Sequence, residues 1–146
     1  MLRKSIIISI KGTKLTKDEK DILIKYHPWG VILFSRNINN INQVKKLTKK
    51  IRNIMHDKYY PILIDQEGGR VSRLNKIMNF NLFPQSYFGS LFRNKNFFYK
   101  IKHELYVDKV SQILNILGIN INIAPVLDLR YPKGHKIIGN FLDIQN

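Results

Sequence analysis

The 146-residue sequence predicts an α/β protein with a parallel sheet, and three observations carry that prediction. Short, continuously apolar runs recur at Ile6-Ile7-Ile8, Val31-Ile32-Leu33-Phe34, Ile62-Leu63-Ile64 and from Ile119 onward. Amphipathic helical patterns separate the runs, and the connections are long enough for right-handed crossovers. Runs without polar alternation mark strands covered on both faces, as in a parallel sheet flanked by helices. A β-α-β-α-β-α-β order suits an open doubly wound sheet or half of an eight-stranded barrel, and pattern alone leaves both open. No G-x-G-x-x-G follows the first strand, which weakens the dinucleotide-binding version.

The first run sits behind a basic start, Met1-Leu2-Arg3-Lys4, and superficially resembles a secretory signal. It is short for an h-region, ends at Lys11-Gly12 and has no small-residue cleavage site after it, so it is read as a first strand. Thr16-Lys17-Asp18-Glu19 has the form of a capping box, which predicts a helix from about Lys17 to about Tyr26. Pro28-Trp29-Gly30 breaks that helix before the second strand. An Asn-rich turn over 37–40 leads into a second helix ending near His56, with Val44, Leu47, Ile51 and Ile54 on one side and most of the lysines elsewhere. The third strand, Ile62-Leu63-Ile64, runs into Asp65-Gln66-Glu67-Gly68-Gly69-Arg70-Val71. After an irregular stretch containing Phe83-Pro84-Gln85, a third helix is expected over about 97–117, with Ile101, Leu105, Val110, Ile113, Leu114 and Leu117 as its apolar positions. Gly118 stands where a helix C-terminus favours positive φ. A fourth strand is expected from Ile119 to about Val126, with Asn120 and Asn122 turning amides toward one face, as suits a layer near a binding site.

Composition limits the alternatives. A 44% apolar content with 11% aromatics excludes a disordered chain. The length suits one domain or part of one. With no cysteine there is neither a disulfide framework nor a thiolate metal site, and the cytoplasm is the default compartment. No apolar stretch approaches the roughly 20 residues that span a bilayer. The net charge of +15 raises a nucleic-acid partner. The lysines are spread over two helices and their flanks, and an AT-rich coding bias raises Lys, Ile and Asn together. Solvated basic helix faces are therefore the preferred reading, and nucleic acid and membrane are not expected as partners.

In parallel α/β folds the chemistry lies at the C-terminal ends of the strands, which directs attention to Ser35-Arg36-Asn37, to the 65–70 segment and to Asp128. Two acids directly after a buried strand, followed by paired glycines, place carboxylates at the rim of the sheet. Arg70 and Arg73 lie near enough in sequence to balance them, and from spacing alone a purely structural ion pair is as good a reading as a ligand contact.

Ile64-Asp65-Gln66-Glu67-Gly68-Gly69-Arg70-Val71, with Arg73 following, resembles the signature of the glycoside hydrolase family 3 β-N-acetylhexosaminidases. Three further stretches agree in order: Gly30-Val31-Ile32-Leu33-Phe34-Ser35-Arg36-Asn37, Phe83-Pro84-Gln85-Ser86 and Asn122-Ile123-Ala124-Pro125-Val126-Leu127-Asp128. The resemblance implies the first half of a (β/α)8 barrel over 1–140. It also implies retaining removal of terminal N-acetylglucosamine from peptidoglycan fragments in the cytoplasm, with no cofactor or metal. Asp65 would accept hydrogen bonds from sugar hydroxyls, and Arg73 would be a second contact to the same ring. Asp128 is read as structural; pairing it with Asp65 as two glycosidase carboxylates is tempting, but the family carries its chemistry further along the chain.

The family's third sugar-binding arginine follows the fourth strand in an Ile-Gly-x-Arg-Ser-aromatic motif. Here Ile138-Gly139-Asn140 begins that motif and Phe141 stands in the place of the arginine. Residues 141–146 read as an unrelated tail, of the kind a frameshift produces. The family's Lys-His-Phe-Pro-Gly-His-Gly motif, with its acid/base histidine, is absent, as is the late aspartate nucleophile. His135 lacks the expected neighbours and is read as a loop residue, while His27, His56 and His103 are read as surface positions. The expectation is thus a chain inactive by itself, poorly soluble or self-associating. Half of a split enzyme completed by a C-terminal piece, a family 3 β-glucosidase fragment and a basic nucleic-acid-binding module are the alternatives.

Overall fold

The computed structural model describes residues 2–126. Strands β1 (Lys4–Ser9), β2 (Pro28–Leu33), β3 (Ile62–Ile64) and β4 (Ile121–Asn122) form one sheet in the order β1-β2-β3-β4, parallel throughout. Helices α1 (Lys17–Tyr26), α2 (Ile41–Met55), α3 (Gln85–Arg93) and α4 (Tyr99–Leu117) lie in the crossovers. A doubly wound sheet reverses its strand order. The sequential order found here is that of the first part of a (β/α)8 barrel.

Local chemistry sets the helix ends. At α1 the Thr16 hydroxyl accepts from the Glu19 amide at 3.1 Å, and Glu19 Oε2 accepts from the Thr16 amide at 2.8 Å, completing the capping box. At α2 the Asn40 side chain accepts from the Gln43 amide at 2.9 Å. Gly118 ends α4 at φ 73°, and a Cβ there would come within 2.8 Å of Thr48 Oγ1. His27 and His56 take the same left-handed cap position after α1 and α2, so these two histidines are helix ends.

The core lies between the helices and one face of the sheet. Leu23 of α1, Val44, Leu47 and Ile51 of α2, and Val110, Leu114 and Leu117 of α4 pack with Val31, Leu33, Ile62 and Ile64. Side chains alternate across a strand. Ser9, Ile32, Leu63 and Ile121, which are register partners, therefore share the opposite face, and none belongs to that core. This second face is the barrel interior. Gly30 shapes it: a Cβ there would meet Leu63 Cδ1 at 2.8 Å, so only a bare backbone lets Leu63 lie across β2.

Five details depart from the sequence expectations. The stretch expected to be irregular contains α3, and β2 begins at Pro28, before the expected break has ended. The fourth strand pairs only over Ile121–Asn122, because β3 has already turned away at Gln66. Asn120 and Asn122 spend their amides on backbone: Asn120 Oδ1 accepts from Ile62 N at 2.7 Å, and Asn122, which also borders a cavity at the strand ends, grips Gln66 N and O at 2.9 and 3.0 Å. In α4, Ile101 and Leu105 are 52% and 56% exposed, since α3 packs on the Tyr99, His103 and Tyr106 side of that helix and leaves their side uncovered among the described residues.

Candidate functional site

Asp65 leaves the C-terminal end of β3 two residues after Leu63, and alternation turns it to the barrel-interior face. Arg73 meets it in a bidentate pair: Nε donates to Oδ1 at 2.7 Å and Nη2 to Oδ2 at 2.6 Å. These bonds hold the Arg73 guanidinium above its ordinary value against the opposing effect of burial. The same guanidinium lies over the Phe34 ring, 5.5 Å from its centroid.

The loop that carries Arg73 folds back on Gln66. The buried Gln66 Oε1 accepts from the amides of Arg73 and Leu74 at 2.8 and 3.1 Å, and its Nε2 donates to Ser72 Oγ at 3.2 Å. A tight turn follows, closed by Glu67 N donating to Val71 O at 3.0 Å. Gly68 sits at φ 85°, where a Cβ would lie 2.2 Å from Phe83 O, and a Cβ on Gly69 would lie 2.7 Å from Pro84 Cβ. The paired glycines and Phe83-Pro84, separate motifs in the sequence, are thus one packing contact.

Glu67 points elsewhere. Only 8% exposed, it keeps Oε2 buried without a hydrogen-bond partner. Burial, aided by the Asp65 charge and opposed by Arg73, pushes its carboxyl above the ordinary value. It borders a cavity of about 550 Å³ between the ends of β3 and β4 and helices α3 and α4, walled by Phe88, Tyr106 and Val110. The Tyr106 hydroxyl donates to Glu67 O at 3.1 Å. Neither Asp65 nor Arg73 lines this cavity, so the two acids of the segment serve different spaces.

Of the other rim residues, Asn37 is fully buried and donates to Ile10 O and Gly12 O at 3.0 and 2.8 Å. His103 packs against the Phe88 ring at 5.2 Å. Asp128, His135, Phe141 and the 141–146 tail lie outside the described residues. Among the described residues no group of three His, Cys, Asp or Glu side chains is placed to hold a metal ion, and no helix is long and apolar enough to cross a membrane. The lysines are more gathered than their spread along the sequence suggests: Lys14, Lys20, Lys46 and Lys50 border a single groove of about 590 Å³. Sequence reasoning assigned no role to Gln66, Asn37 or Phe34. The available signal was their place directly after a strand, where backbone leaving the ladder needs new partners.

Sequential parallel strands with a carboxylate–guanidinium pair at their C-terminal ends define an α/β-barrel segment with its polar groups on the ligand-binding rim. The chain belongs to glycosyl hydrolase family 3, and residues 3–139 match the N-terminal domain of that family. It is 33% identical over 137 residues to a beta-hexosaminidase of Hydrogenovibrio crunogenus, covering 92% of this chain and 37% of the relative. The crystal structure of native NagZ from Neisseria gonorrhoeae matches with a TM-score of 0.81 at 29% identity, over 95% of this chain and 40% of that one. NagZ from the same organism in complex with N-trifluoroacetyl-D-glucosamine matches with a TM-score of 0.65 at 28% identity, over 95% of this chain and 41% of that one. The chain spans about two fifths of the length of these relatives.

Proposed function

We propose that this chain supplies one side of the sugar cleft of a retaining exo-β-N-acetylglucosaminidase, with Asp65 and Arg73 as contacts to the terminal sugar. The observation that carries the reading is the bidentate Asp65–Arg73 pair on the interior face at the end of β3. Arg73 takes one lone pair from each carboxylate oxygen, and the pair remaining on each can accept from neighbouring hydroxyls of a pyranose. The N-trifluoroacetyl-D-glucosamine complex of the Neisseria relative supports an N-acylated glucosamine as ligand. Peptidoglycan fragments are the natural polymer source of that sugar, and cytoplasmic recycling of the cell wall is the setting this substrate suggests.

Hydrolysis with retention needs an acid/base and a nucleophile about 5 Å apart across the scissile bond. Asp65 is committed to Arg73, and Glu67 faces another space. Neither acid of this segment is thus placed as acid/base or nucleophile among the described residues, and in this reading the reacting groups come from further polypeptide, continuous with this chain or separate. Two hydrogen bonds to charged groups contribute roughly 3 to 6 kcal/mol. Association costs an estimated 4 to 15 kcal/mol, so the dissociation constant for N-acetylglucosamine lies above the millimolar range. Ligand-observed saturation-transfer NMR reads such weak binding. A signal on N-acetylglucosamine that disappears in Asp65→Asn is expected; an equal signal from that variant overturns the assignment.

A further inference from the structure

The Arg73 guanidinium has two supports, and only the Asp65 carboxylate belongs to the sugar contact proposed above. The second is the Phe34 ring, which also receives the Arg36 guanidinium, 4.7 Å from its centroid. Phe34 does not hang freely at the end of β2. Its backbone amide donates to Asn37 Oδ1 at 2.9 Å, and the Asn37 amide group donates to Ile10 O and Gly12 O beyond β1. Arg36 Nε donates to the same Ile10 carbonyl at 3.0 Å. The ring is thereby held against the ends of two neighbouring strands before Arg73 reaches it from the third.

We infer that Phe34 is a positioning residue for Arg73: its ring fixes the plane in which the guanidinium grips Asp65. A bidentate pair keeps guanidinium and carboxylate coplanar but can turn as one about the Asp65 Cβ–Cγ bond, whereas a ring face attracts the cation and restricts that turn. A fixed plane matters because each Asp65 oxygen must keep one lone pair directed away from Arg73. The inference rests on the sugar-contact reading only for its consequence; the arrangement of Phe34 and Arg73 stands apart from it.

Phenylglyoxal modification of arginines, followed by mass spectrometry of the intact chain's peptides, tests this at low protein concentration. In Phe34→Leu, and in the volume-matched Phe34→Met, Arg73 should react about threefold faster, with Arg3 and Arg52 unchanged. Phe34→Tyr keeps a ring and should restore the wild-type rate. An unchanged Arg73 rate in both ringless variants, or acceleration shared by Arg3 and Arg52, overturns the inference. Adding N-acetylglucosamine at high concentration separates the two proposals. If the sugar fails to slow Arg73 modification in the wild type while the Phe34 variants behave as expected, the sugar contact fails and the positioning role stands.

Discussion

Asp65 and Glu67 stand two residues apart in the sequence and are handled in opposite ways. Asp65 receives both ends of a guanidinium, whereas Glu67 is buried with an oxygen that nothing bonds. Spacing alone left an ion pair and a ligand contact equally open for both acids. It could not separate them, because which of two acids meets an arginine depends on how the Gly68–Gly69 turn redirects the chain. The structure realises the ion pair for Asp65. A carboxyl raised in the folded state binds its proton more tightly there than in the unfolded chain. The stability it contributes is complete below its ordinary value of 4.5 and is lost as pH rises through the folded value. Glu67→Gln should therefore be more stable than wild type by about 1 kcal/mol at pH 7, and the difference should vanish below pH 4.5. Urea unfolding at high dilution, followed through Trp29, the only tryptophan, checks this.

At the scale of elements, legibility followed the strength of the local signal. The capping box fixes the start of α1 at Lys17, and continuous apolar residues fix β3, since both depend on neighbours in sequence. Removing the cap in Thr16→Ala leaves the Glu19 amide without its partner and should cost about 1 kcal/mol, read as a lower urea midpoint. By contrast, α3 was missed: Gln85-Ser86-Tyr87-Phe88-Gly89-Ser90 is rich in turn formers, and the helix exists because Phe88 is drawn under Tyr106. The early end of β4 was missed for a similar reason, as Asn122 substitutes its amide for the next rung of the ladder. In both places a tertiary contact decides the outcome. Ile101 and Leu105 show the converse, apolar positions at correct helical spacing with nothing described to cover them.

For the molecule as a whole, the barrel class came from resemblance, and sequential parallel strand order is the physical feature that distinguishes it from a doubly wound sheet. Among the described residues the four-strand sheet has its edges at β1 and β4 and an interior face bearing Ile32 and Ile121. Unpaired edges and apolar faces promote association, so the 146-residue chain alone should self-associate at micromolar concentration in sedimentation velocity. A sharp monomer boundary, together with a cooperative calorimetric transition, would oppose this. The proposal that this chain holds the sugar while other polypeptide cuts it is tested most directly by release of chromophore from an aryl N-acetyl-β-glucosaminide. The assay compares the purified chain with the same chain co-expressed with the remaining length of a family relative. No release from the chain alone is expected, and release from the pair should be lost in Asp65→Ala. Turnover by the isolated chain, or undiminished turnover by the Asp65→Ala pair, would contradict it.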